Sequence, residues 1–225
     1  MALILHVESS AKFCSAALGK SGELIGFAQT SEPMRHSKEI TLVIDKCLKD
    51  VGYALSDLQA IAISSGPGSY TGLRVGTSAA KGISYALEIP LIGLNTLKCI
   101  ADFSQAEHNL NTDFIIPVVD ARREEVYCAI YKPDLTVEME MTNHILDESS
   151  FSAYENVLVC GDAAEKVQKH LSRKDFRYHQ IDPLASFMIK LAYNKYLDKD
   201  FEDVAYFSPT YFKAPHITQS KKPLF

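Results

Sequence analysis

Residues 4–18, ILHVESSAKFCSAAL, align without a gap on residues 116–130, IPVVDARREEVYCAI. In both stretches an apolar strand ends on an acid, Glu8 or Asp120. A polar turn follows, and a second strand ends on Ala17-Leu18 or Ala129-Ile130. A strand, a glycine and a helix come later in each half, at Gly66 and at Gly161, with a looser match. Such a repeat restricts the chain to architectures built from two copies of one unit. Its 225 residues, 47% hydrophobic and 23% charged, have the balance of a globular chain. They accommodate two domains of roughly 100 residues each.

The local patterns give each copy its elements. Strands are expected over 3–8, 13–19 and 23–30, the last two joined by a Lys20-Ser21-Gly22 turn. Ile40, Val43, Ile44, Cys47, Leu48 and Val51 then recur at helical spacing between a Ser37 cap and Gly52. A short buried strand over 60–64 breaks at Gly66-Pro67-Gly68. A helix over 70–87, a strand at 91–92 and a helix over 96–106 follow. The polar stretch 107–113, EHNLNTD, reads as a linker, after which the order restarts. It comprises strands over 114–120, 125–131 and 136–142, a short helix over 147–154, a strand over 157–160 and a helix over 163–171. Pro183 opens the last helix. Hairpin-linked strands at the start of each half make the sheets mixed, which weakens the rival of a single doubly wound parallel sheet. The expectation is an α/β chain of two ribonuclease-H-like domains, residues 1–108 and 109–205.

Composition excludes some roles. The net charge of −5 leaves one modest basic segment, Lys213, His216, Lys221 and Lys222, so any RNA is expected to be held mainly by a partner. The five cysteines are odd in number and never at C-x-x-C spacing, which predicts reduced core thiols. MALILHVESS lacks a basic n-region and reads as a strand, and no stretch approaches the roughly 20 apolar residues of a membrane span. The cytoplasm is the expected location, with no membrane partner.

The most informative motif is SSGPGSYTGLRVGTSAAKG, residues 64–82. A buried strand meets a Gly-Pro-Gly turn, and Ser69 or Thr71 can cap the helix beyond it. The free N–H groups there could hold an anion, or the segment could be a well-capped connection alone. Neither the P-loop nor the G-x-G-x-x-G fingerprint nor G-x-S-x-G is present. Inside the helix Gly72, Gly76 and Gly82 each cost roughly 1 kcal/mol against alanine. Close approach of another backbone, from this chain or a partner, would offset that.

This segment resembles the signature of the TsaB family, bacterial tRNA threonylcarbamoyladenosine biosynthesis proteins once labelled glycoprotease-like. ILHVESS resembles the family's first phosphate-motif strand, DARREEVYCAIY (120–131) the start of its second domain, and SPTYFK (208–213) its closing motif. The resemblance implies an actin/Hsp70-like fold with the tail, residues 206–225, packing back on the first domain. In the catalytic TsaD paralogue a His-x-x-x-His pair binds metal after the same helix. Here Thr96 and Ile100 stand at those positions, and the seven histidines form no i, i+4 pair. The resemblance therefore implies a non-catalytic scaffold without metal or cofactor. It would pair with a TsaD-like catalytic subunit, be joined by a TsaE-like ATPase, and meet tRNA through the complex only. The implied interface comprises Ile40, Val43, Ile44, Cys47, Gly72, Arg74, Val75, Gly76, Ala79, Ala80 and Ile83, with a homodimer using the same face. Gly76→Leu or Ala80→Phe should then break pairing and leave the monomer folded. In the superfamily's ATPases, acids at the places of Glu8 and Asp120 face each other across a nucleotide cleft. Their turns here lack glycine, which implies a degenerate cleft. A metal-dependent glycoprotease-like hydrolase and an active ATPase or kinase of the same fold are the alternatives.

Overall fold

The computed structural model describes residues 2–33, 35–108 and 111–212. The chain opens with a meander of three antiparallel strands, β1 Leu3–Glu8, β2 Ser15–Lys20 and β3 Glu23–Gln29. Helix α1 (His36–Lys49) leads to β4 (Ala60–Gly66), and α2 (Tyr70–Leu87) to β5 (Leu91–Asn95). The sheet order is β3-β2-β1-β4-β5, with β4 parallel to both its neighbours. Every residue of β1 is buried, because helices cover both faces of this central strand. Leu3, Leu5 and Val7 pack with α1 and α2, whereas Ala2 and Ile4 pack with residues 187–192.

After α3 (Thr96–His108) the order repeats. Strands β6 (Phe114–Asp120), β7 (Glu125–Tyr131) and β8 (Val137–Ile145) form the meander. Strand β9 (Val157–Gly161), α4 (Ala164–Leu171) and β10 (Phe176–Gln180) follow, and α5 (Ile189–Asp198) closes the described helices. The order β10-β9-β6-β7-β8 is the same topology as the first sheet. The glycines matched in sequence share a backbone role, since Gly66 and Gly161 both have positive φ, 99° and 126°. Helix α3 is common to both cores. Cys99 packs with the first sheet, and Leu97, Ile100 and Ala101 pack with the second.

Beyond α5 the chain returns to the first sheet. Glu202 N–H donates to Leu91 O (2.9 Å), Thr210 N–H donates to Ser65 O (2.8 Å), and Phe207 joins the core beneath α1 and α2. Lys81 Nζ on α2 donates to the carbonyls of Ala205 and Phe207, both at 3.0 Å. Lys213, His216, Lys221 and Lys222 lie outside the described residues. All five cysteines are buried and free. Among the described residues no helix is long and apolar enough to cross a membrane.

Three local expectations are corrected. Ser37 does not cap α1, which starts at His36 with no side-chain cap. The stretch 147–154 is a series of turns, not a helix. Asp147 Oδ1 accepts from Ser149 N–H (2.9 Å) and from the hydroxyls of Ser149 (2.8 Å) and Ser150 (3.1 Å). Side-chain capture of this kind competes with helix hydrogen bonding. Strand β10 has no counterpart in the sequence reading, because an edge strand reading FRYHQ carries little apolar signal.

Candidate functional site

The turns after β1 and β6 face a cleft of about 1150 Å³ lined from both halves. On the first side stand Ser10, Lys12 and the start of α2, on the other Asp120, Arg122, Arg123 and α4. The turn before α2 contains a cis Gly66–Pro67 bond, and Ser69 caps the helix by accepting from Gly72 N–H (3.2 Å).

The sequence expectation places Glu8 and Asp120 together in a degenerate cleft, but of the two only Asp120 lines it. Glu8 is only 1% exposed and does not line it. Its carboxylate accepts from Ser10 N–H (2.6 Å) and Ser64 Oγ (2.8 Å). Burial raises its pKa, with the hydrogen bonds from Ser10, Ser64 and Ser9 opposing the rise. The acid therefore holds the turn after β1 together.

Asp120 does line the cleft. Its Oδ1 accepts from Lys166 Nζ (2.5 Å) and Arg122 N–H (3.1 Å), and its own N–H donates to Asp162 Oδ1 (2.8 Å). The turn it opens is strained. Arg122 and Arg123 have φ of 67° and 51°, a region that costs a non-glycine residue roughly 1–2 kcal/mol.

Burial, assisted by Asp120 and Asp182, pushes the Asp162 pKa from 3.8 up to about 6. An acid whose folded pKa lies above its unfolded value withdraws stability as pH rises through that window, here from about 4 to about 6. Asp162→Asn keeps an acceptor for the Asp120 amide and removes the charge. It is expected to raise the urea midpoint at about pH 7.5 and leave it unchanged near pH 3. A lower midpoint at the higher pH would mean that the fold uses the charge.

One Ser–His–Asp grouping, unforeseen in the sequence, is structural. His144 Nε2 lies 2.8 Å from Ser150 Oγ, but that hydroxyl donates its proton to Asp147 Oδ1 (3.1 Å). The imidazole must then donate, so it cannot act as base toward the serine. At the positions of the metal-binding pair, Thr96 is fully buried and Ile100 belongs to the second sheet's core. Among the described residues no His/Cys/Asp/Glu group has metal-ligand geometry.

The residues expected at a partner surface fall mostly inside the chain. Ile40, Val43, Ile44 and Cys47 are buried beneath α1, and Gly72, Gly76 and Ala80 are buried on α2. A Cβ at Gly72 would lie 2.0 Å from Ser9 O, and one at Gly76 2.0 Å from Ser9 Oγ. The close approach is therefore internal at both glycines, by the Ser9 backbone at Gly72 and by its side chain at Gly76. Gly76→Leu and Ala80→Phe would overpack the monomer itself, contrary to the sequence expectation. Val75, Ala79 and Ile83 are half-buried against the same core. Arg74 is exposed, its guanidinium 5.5 Å from the Tyr70 ring. Gly82 differs, being exposed with nothing within 4 Å of a Cβ built on it. Leu42 on α1 and Tyr85 on α2 are exposed as well, at 64% and 81%.

A family model described as TsaD, tRNA N6-adenosine threonylcarbamoyltransferase, matches residues 30–206. The tRNA threonylcarbamoyladenosine biosynthesis protein TsaB of Escherichia coli is 32% identical over 131 residues, 58% of this chain and 55% of its own length. TsaB of Bacillus subtilis is 32% identical over 129 residues, 57% of this chain and 55% of its own length. The chain thus spans about half the length of these curated relatives. Among solved structures, YeaZ from Pseudomonas aeruginosa superposes with a TM-score of 0.81 at 22% identity, over 94% of this chain and all of that one. The activator of 2-hydroxyisocaproyl-CoA dehydratase from Clostridium difficile, with bound ADPNP, superposes at 0.52 and 10% identity, over 89% of this chain and 98% of that one. Likeness at these identities shows the fold alone, the two-domain actin/Hsp70-like arrangement.

Proposed function

The chain belongs to the TsaD family of tRNA N6-adenosine threonylcarbamoyltransferases in its TsaB form, and on that premise we propose that it is the non-catalytic subunit of the tRNA threonylcarbamoyladenosine pathway. It pairs with a TsaD-like catalytic paralogue through the exposed side of α1 and α2, and a TsaE-like ATPase joins the pair. The assembled complex transfers threonylcarbamoyl from its adenylate to the adenosine beside the anticodon. Ile100 in the hydrophobic core, where the catalytic paralogue would need an imidazole, supports the non-catalytic role. The cytoplasm is its place of action.

The observation that carries the pairing surface is Gly82. A glycine in the interior of an exposed helix face lowers stability by roughly 1 kcal/mol against alanine. Gly72 and Gly76 have an internal reason in the Ser9 turn, whereas Gly82 has none among the described residues. Close approach by a second backbone supplies one, with Leu42 and Tyr85 as exposed apolar neighbours on the same helix pair. Gly82→Arg is expected to leave the monomer's melting temperature unchanged or higher and to weaken pairing with the catalytic paralogue at least tenfold. Titration calorimetry against that paralogue from the same cell measures it. Unchanged affinity in a normally folded variant would place the interface elsewhere.

The ATPase alternative is disfavoured by the backbone around the cleft. Amides that would have to grip phosphate are committed, Ser10 N–H to Glu8, Ser69 N–H to Ser10 O and Arg122 N–H to Asp120.

A further inference from the structure

The cleft carries cations and rings that the pairing surface leaves unused. Lys12 stands on the turn after β1, Arg122 and Arg123 on the turn after β6, and Lys169 on α4, all exposed and all lining the cleft. None of these side chains forms an ion pair among the described residues. The acids around them are engaged instead, Asp120 by Lys166, Glu124 by His170, and Asp162 by the Asp120 amide. Glu125 accepts from Asn143 Nδ2, which leaves Glu165 as the remaining acid of the lining. Across the lining Lys12, Arg122, Arg123, Lys166 and Lys169 balance Asp120, Glu124, Glu125, Asp162 and Glu165, so the cleft is locally neutral on a chain whose net charge is −5, and the four cations without an ion pair are what it offers an anion.

Aromatic rings line the same cleft. Tyr211 packs on Tyr70 at the start of α2, with centroids 4.9 Å apart. Phe212 lies 6.0 Å from Tyr127 of β7, so the segment reaches from one half to the other across the cleft mouth. Tyr211 and Phe212 keep 42% and 40% of their surface exposed. Two consecutive arginines are held in the left-handed region at the tip of the facing turn, where Asn or Gly would sit without strain.

Long cations on flexible stems, in one cleft with partly exposed rings and without a backbone phosphate cradle, match a chain of phosphates carrying unstacked bases better than a lone nucleotide. We propose that this cleft binds single-stranded nucleic acid directly, with phosphates on Arg122, Arg123, Lys12 and Lys169 and bases stacked on Tyr211 and Phe212. This goes beyond the pairing role and replaces the expectation that a partner alone holds RNA.

Fluorescence anisotropy of labelled oligo(U) and oligo(dT) strands of about 12 nucleotides, titrated with the full chain in the absence of any partner, tests it. Binding to oligo(U) at about 50 mM salt is expected, falling steeply toward about 200 mM. Oligo(dT) separates a requirement for ribose hydroxyls from binding of any single strand, and either pattern supports the proposal. The double variant Arg122→Asn/Arg123→Asn relieves the turn, so it should fold at least as well as the parent. It should bind at least tenfold more weakly, with a salt slope smaller by about 1.4. Tyr211→Ala/Phe212→Ala should lose about tenfold with an unchanged slope. No binding at low salt, tighter binding to a duplex, or variants that bind like the parent would each overturn the proposal. Because no partner is present, failure here leaves the pairing reading standing, and a failed Gly82→Arg test leaves this one standing.

Discussion

Gly72→Ala is expected to destabilise the chain by about 3 kcal/mol, a large fraction of the roughly 5–15 kcal/mol of an ordinary domain. The new Cβ would sit 2.0 Å from Ser9 O and 3.3 Å from Ser69 Cβ. A backbone oxygen cannot rotate away as a side chain does. Moving it would disturb the turn that Ser10 N–H holds on Glu8 (2.6 Å) and Ser69 N–H holds on Ser10 O (2.6 Å). Gly82→Ala, on the same helix, should do the reverse and stabilise the monomer by roughly 0.5–1 kcal/mol, since its Cβ enters open space. Urea unfolding of the two variants side by side measures the contrast. If Gly72→Ala unfolds at the wild-type midpoint, the packing of α2 on the Ser9 turn is wrong.

Acid should remove about 2 kcal/mol of stability through His6 alone by pH 5, and about 3 by pH 4. His6 lies on the central strand, 1% exposed, with Nδ1 3.2 Å from Ala17 O and Nε2 without a partner among the described residues. Burial lowers its pKa from 6.5 to about 4, and the backbone carbonyls of Ala17 and Ile4 offset only part of that. The unfolded chain takes up the proton first. The stability contributed by the neutral ring is therefore complete above about pH 6.5 and is lost as pH falls toward 4. Glu8 and Asp162 act in the opposite sense, since burial raises both pKa values and favours the folded state as acid is added. The His6 contribution emerges by difference against His6→Gln, which stays neutral throughout. A parent-minus-variant stability that stays flat between about pH 7 and 4 would contradict the burial of an uncharged imidazole here.

How far the sequence could be read follows from where each signal lies. β1 (Leu3–Glu8), β6 (Phe114–Asp120), β7 (Glu125–Tyr131) and α2 (Tyr70–Leu87) match their expected spans, because each carries a long, uninterrupted apolar or small-residue pattern. β10 and the 147–154 turns were not legible. One is a polar edge strand, and the other depends on a few hydrogen bonds to a single carboxylate. The apolar stripe of α1 is plain in the sequence, yet a stripe does not say what covers it, and the chain's own sheet does.

The sequence by itself determined the duplication, the mixed sheets and the family, since strand patterns, turn glycines and motif order are properties of neighbouring residues. Tertiary structure alone decided the fate of each singled-out group. Glu8 turned inward because Ser10 and Ser64 converge on it from residues 2 and 56 positions away. Gly72 and Gly76 serve the Ser9 turn whereas Gly82 faces outward, although all three look alike in the chain. Whether a side chain is a ligand, a cap or a contact depends on what lies within a few ångströms of it, and those neighbours are distant in sequence.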